Sequence, residues 1–112
     1  MYAVPFSSAI RDAGNRVRHL VLSGELDMAA VPDLRRRVSE CAGQSECLVV
    51  DMSGLTFLDS TGIHFLLDLN ALAKRDGWSL RLVPGPPQVQ RVLEIAGVTE
   101  LLPWVGAERA AA

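Results

Sequence analysis

No apolar run in this sequence approaches the ~20 residues that a helix needs to cross a bilayer, and the first residues hold neither a charged segment nor the apolar stretch of a secretory leader. We therefore expect a cytoplasmic protein with no membrane partner. A basic excess is also missing: 11 Lys and Arg face 13 Asp and Glu for a formal net charge of -2, which leaves no electrostatic footprint for nucleic acid. Cysteine is restricted to Cys41 and Cys47, too few and wrongly spaced for a four-ligand zinc site or a CxxC redox pair. In a reducing compartment both are expected as free thiols. There is no GxxxxGK[ST] or GxGxxG loop after a strand. Neither His19 nor His64 has a partner at ligand or triad spacing, so both read as surface residues. We expect no enzyme, metal or cofactor.

What is present is a 112-residue chain, 49% apolar and 21% charged, which fits one globular domain over residues 1–112. Its organising stretch is Leu48 to Leu69. Leu48, Val49 and Val50 read as a short buried strand that ends on Asp51 and a Ser53-Gly54 turn. After a loop comes Asp59-Ser60-Thr61-Gly62, and then Ile63, Leu66, Leu67 and Leu69 recur at three- and four-residue spacing, as on a helix. Ser60 or Asp59 fits the N-cap, where a side-chain oxygen accepts from a backbone N–H that has no partner inside the helix. This places a hydroxyl at the positive end of a helix. Two readings follow: Ser60 and Thr61 only start a core helix, or the hydroxyl carries a phosphate that the free N–H groups and the helix dipole favour.

Upstream, residues 3 to 10 read as a first strand, Asp12 to Asn15 as a tight return and Arg16 to Ser23 as a second, antiparallel strand. Gly24-Glu25-Leu26-Asp27 leads into a helix that starts near Pro32, runs to about Cys41 and buries Val31, Leu34 and Val38. Arg35, Arg36 and Arg37 interrupt that stripe and read as a solvated face, with binding of a phosphate or partner as the other reading. Downstream, the second helix ends near Arg75 and Gly77, with Asp68 and Asn70 on its outer face. A strand spans Trp78 to Val83. A third helix spans Pro87 to about Ala96 and buries Val89, Val92, Leu93 and Ala96; Thr99 caps a short turn, and residues 106–112 form a helical tail or a frayed end. Strand and helix alternate after an initial hairpin, which predicts an α/β layer with a mixed sheet.

The segment Leu48 to Ser53, followed by Phe57-Leu58-Asp59-Ser60-Thr61-Gly62, resembles the signature of STAS domains in bacterial anti-sigma factor antagonists. Gly24-Glu25-Leu26-Asp27 resembles the upstream motif of that family, and Leu93 to Val98 its downstream one. The resemblance implies a small mixed sheet of four or five strands with helices packed against it. It also implies a partner switch. The unphosphorylated antagonist binds an anti-sigma factor that is itself a serine kinase, and a sigma factor is released. The kinase phosphorylates the serine after the motif aspartate, and a separate serine phosphatase reverses this. Carried over, the motif aspartate is Asp59, the phosphoacceptor Ser60, its neighbour Thr61 and the turn glycine Gly62, with Asp27 joining them in partner binding. The chain departs from the pattern at Ile63-His64, where family members often have Leu-Gly. The alternative within the same family is a non-switching adaptor or scaffold in a transporter or signalling assembly. Asp27 and Asp51, read as strand-end acids, are expected at the same sheet edge as Ser60, or else as simple turn caps.

Overall fold

The computed structural model describes residues 4–43 and 45–105. Its order is β1 (Ser7–Asp12), β2 (Val17–Leu26), α1 (Val31–Ala42), β3 (Cys47–Leu58), α2 (Ser60–Asp76), β4 (Ser79–Val83), α3 (Pro87–Ile95) and a 3-10 turn at Thr99–Leu101. The four strands lie in the order β1-β2-β3-β4, the first pair antiparallel and the other two parallel. The mixed sheet is as expected. Each parallel step crosses over through a helix, and right-handed crossovers in a sequential sheet put those helices on one face. A further parallel bridge joins Leu82 to Trp104 beyond β4, so α3 falls on the same side.

The core lies between that face and the helices. Leu20, Val50 and Leu82 are directly opposite one another across three strands and are fully buried, as are Leu34 of α1, Leu66 of α2 and Leu93 of α3. Phe65, read over in the periodicity of α2, is also buried, whereas Leu67 is only half-buried. The opposite face carries Arg11, His19, Val49 and Arg81 in one register row. His19 is therefore well back along β2 from its C-terminal end.

Several expectations change in detail. The first strand begins at Ser7 and reaches Asp12, because Gly14, Asn15 and Arg16 all take positive φ and make the return tighter and later. Residues 1–3 and the tail at 106–112 lie outside the described residues. The largest difference is β3, which does not stop at Asp51 but runs to Leu58. It stays paired with β2 through two irregularities, Val21 to Ser23 opposing Asp51 to Gly54 and Gly24 to Glu25 opposing Leu55 to Phe57. At each, β3 holds an extra residue, as in a β-bulge. The Asp51 carboxylate fills the first bulge by accepting from the Ser53 N–H (2.9 Å) and hydroxyl (2.7 Å).

Other side chains also find partners that the periodicity did not assign. Arg35 pairs with Asp68 at 2.9 Å and lies over the Phe65 ring, tying α1 to α2, while Arg36 pairs with Asp33. Asn70 is not merely on an outer face: its amide donates to the Leu101 carbonyl at 3.0 Å. Ala96 is exposed at the end of α3, and Thr99 caps nothing, since its hydroxyl is buried with no hydrogen-bond partner. Among the described residues, Cys41 and Cys47 form no disulfide.

Candidate functional site

β2 and β3 end together, Leu26 opposite Leu58, so Asp27 and Asp59 leave the sheet side by side. The Asp59 N–H donates to the Leu26 carbonyl at 3.3 Å and extends the ladder by one bond. Each acid then opens a helix. Asp27 accepts through Oδ1 from the N–H groups of Ala29 (3.1 Å) and Ala30 (3.2 Å), in the turn that leads to α1. Asp59 is the N-cap of α2; its Oδ1 accepts from the Gly62 N–H at 3.1 Å and from the Thr61 hydroxyl. Of the two cap candidates, Asp59 takes the role because its backbone is extended while Ser60 is already helical.

Partial burial by itself would raise the pKa of the Asp59 carboxyl. The hydrogen bond from the Thr61 hydroxyl, with those from the backbone N–H groups of Gly62, Thr61 and Met28, outweighs burial and holds the group below the ordinary carboxylate value. The contact with Met28 links the cap of α2 to the turn before α1.

Ser60 is the first residue of α2 and is exposed, and among the described residues its hydroxyl has no hydrogen-bond partner. Thr61 is half-buried with its hydroxyl committed to Asp59. Adjacent hydroxyls thus have opposite states. Gly62 is not a turn residue but lies within the first helical turn, buried. A Cβ there would collide with Leu58 Cδ1 and lie 3.1 Å from Leu26 Cγ, so the absence of a side chain lets α2 start close against the ends of β2 and β3.

Four of the five predicted site residues, Asp59 to Gly62, are consecutive, and the parallel pairing brings Asp27 to them. Asp51 does not join them. It sits within β3 at the level of Val83, the last residue of β4, while β3 continues to Leu58; its expected place at the Ser60 edge is corrected by the bulged extension of the strand. Two large apolar side chains that the sequence reading did not single out are exposed near these acids along the chain: Met28, 73% exposed, next to Asp27, and Phe57, 46% exposed, two residues before Asp59. The only signal in the sequence was their position beside Asp27 and Asp59. Among the described residues no group of three or more His, Cys, Asp or Glu is placed to hold a metal ion, and no helix is long and apolar enough to cross a membrane.

A small mixed sheet backed by helices, with an exposed serine directly after the Asp59 cap where β3 meets α2, defines the class. The family model described as Mlab, STAS domain, matches residues 10–103, and the chain belongs to the STAS domain family. It is similar to the anti-sigma F factor antagonist of Paenibacillus polymyxa, 29% identical over 84 residues that cover 73% of this chain and 72% of the relative. It is also similar to the anti-sigma-B factor antagonist of Bacillus subtilis (strain 168), 26% identical over 81 residues, 72% of this chain and 74% of the relative. Among solved structures, the anti-sigma factor antagonist SpoIIAA in its unphosphorylated form superposes with a TM-score of 0.73 at 21% identity, covering 94% of this chain and 93% of that one. The phosphorylated form of SpoIIAA, a Bacillus cell fate determinant, gives 0.68 at 20% identity, covering 94% and 96%. These likenesses establish the fold of the chain as that of SpoIIAA.

Proposed function

We propose that this protein is an anti-sigma factor antagonist controlled by phosphorylation at Ser60. With Ser60 unmodified it binds an anti-sigma factor that is also a serine kinase, and a sigma factor is released. Phosphorylated, it lets the partner go until a serine phosphatase restores the hydroxyl. The observation that carries this reading is the contrast between two neighbouring hydroxyls: Ser60 is exposed and unengaged among the described residues, whereas Thr61 is tied to Asp59. Curated relatives named as anti-sigma factor antagonists support the partner class.

The physics of the switch follows from the surroundings. A phosphate adds about -1.5 to -2 charges and three acceptor oxygens. At the start of α2 the dipole tolerates that charge by about 0.3 to 1 kcal/mol, so the fold survives modification. Binding does not, because the phosphate stands directly after Asp59, where its charge and hydration shell oppose desolvation against an acidic or apolar partner surface. The switch acts on association and leaves the domain folded.

The test is incubation with the cognate anti-sigma kinase and ATP, followed by mass mapping. One phosphate is expected, on Ser60. Ser60→Ala blocks its incorporation but still binds the kinase, and Ser60→Asp weakens the complex less than phosphate does, a carboxylate having less charge and shorter reach. Phosphate found on Thr61 would shift the assignment by one residue. A partner that binds the phosphorylated and unmodified forms equally would replace the switch with the adaptor reading.

A further inference from the structure

We propose that His64 pairs with phosphorylated Ser60 and makes the phosphorylated state of the switch dependent on pH, an inference that rests on the reading of Ser60 as the phosphosite. Ser60 and His64 are four residues apart within α2 and both are exposed. Side chains at that spacing are neighbours on a helix, with Cβ atoms about 5–6 Å apart, and both point along the solvent face because Gly62, Ile63, Phe65 and Leu66 turn the other way. Among the described residues His64 makes no hydrogen bond or ion pair, so its ring is available. It also stands where the chain departs from the pattern it otherwise resembles, at Ile63-His64. A glycine there could not reach a phosphate.

The surrounding charges narrow what can titrate. Asp59 caps the helix below Ser60, Asp27 stands at the adjacent strand end, and Asp68, one turn beyond His64, is held by Arg35 of α1. On the side of α2 where Asn70 holds the Leu101 carbonyl, the adjoining turn carries Glu100. Carboxylates and guanidinium groups as classes keep their charge from about pH 5 to 8, whereas imidazole titrates near 6.5 and the second proton of a phosphomonoester near 6. Within that window the pair consists of an imidazole and a phosphate. Each stabilises the charged form of the other, so they titrate as a coupled unit. When the ring is protonated it offsets part of the charge that repels the partner. At higher pH the phosphate stands uncompensated and the switch is fully off.

The experiment compares the unmodified full chain with the chain carrying phosphoserine installed at position 60 during translation, with no kinase required. The two histidines give one Hε1 signal each in proton NMR, so His19 on the far side of the sheet is an internal reference. On phosphorylation the His64 midpoint should rise by about half a unit or more while that of His19 stays fixed. The phosphorus-31 midpoint of the phosphoserine should be lower in wild type than in His64→Gln. An unchanged His64 midpoint, or a phosphorus midpoint that ignores His64→Gln, overturns the pairing. If the pairing holds but no anti-sigma kinase modifies Ser60, the proposed function fails while the coupling of these two side chains stands.

Discussion

Replacing Asp59 with alanine removes the one side chain that joins the cap of α2, the Thr61 hydroxyl and the turn before α1. The carboxylate accepts from Gly62 N–H at 3.1 Å and from the Thr61 hydroxyl, and the nearby Thr61 and Met28 N–H groups favour its charged form further. Losing an N-cap costs about 0.5 to 2 kcal/mol, and the hydroxyl and N–H donors that converge on this carboxylate put it at the upper end, about 2 kcal/mol. For a chain of 112 residues the unfolding entropy near the melting point is about 0.24 kcal/mol/K, so 1 kcal/mol corresponds to about 4 °C and Asp59→Ala should melt about 8 °C below wild type. Asp59→Asn keeps an acceptor but loses the charge that the helix start favours, and should lose about half as much at pH 7. The sign of the pH dependence follows from the lowered pKa of Asp59 in the folded state. Its contribution is fully present above the unfolded value of about 3.9 and is lost as pH falls through the lower folded value. The gap between wild type and Asp59→Asn should therefore be constant from pH 7 to about 5 and close below about 4. Circular-dichroism melts of the three proteins across that range measure it. An Asp59→Ala protein that melts within 2 °C of wild type, or a gap indifferent to acid, would refute the capping argument.

Gly62→Ala should destabilise although alanine is the better helix former by about 0.8–1 kcal/mol, because overpacking against Leu58 and Leu26 costs about 1–3 kcal/mol. We expect a net loss of up to about 2 kcal/mol in chemical denaturation, and a stabilised variant would mean that α2 does not start close against the strand ends. Replacing the two exposed apolar side chains, Met28→Ser and Phe57→Ser together, should lower affinity for the anti-sigma partner at least tenfold in a calorimetric titration. The melting temperature should fall by no more than about 4 °C, since both side chains are substantially exposed; unchanged affinity would remove them from the interface.

Where local chemistry decides the conformation, the residues themselves were enough. Pro32 within the first turn of α1, Asp59 before α2 and Gly77, in the left-handed conformation after it, mark helix boundaries through single-residue effects that need no distant partner. The alternation of strands with helices fixed the α/β class, and the motif from Leu48 to Gly62 identified the family. The course of β3 beyond Asp51 was hidden. Its buried residues Leu48, Val50, Met52, Leu55 and Leu58 shift from two- to three-residue spacing as the bulges add residues, and a strand with that spacing no longer reads as one. Only pairing with β2 shows that the segment is still sheet.

The sequence by itself determined the order of elements and the Asp59-Ser60 pair at which α2 begins, because each depends on backbone preferences and hydrogen bonds within a few residues, while the backbone conformation chose Asp59 over Ser60 as the cap. Tertiary structure decided the rest. It placed Asp27 next to Asp59 and Asp51 away from them through the register of parallel strands, and it showed that Gly62 serves close packing. It also left Met28 and Phe57 in solvent and drew Arg35 to Asp68 across 33 positions of the chain. These are contacts between distant segments, and no local preference encodes which segments will meet.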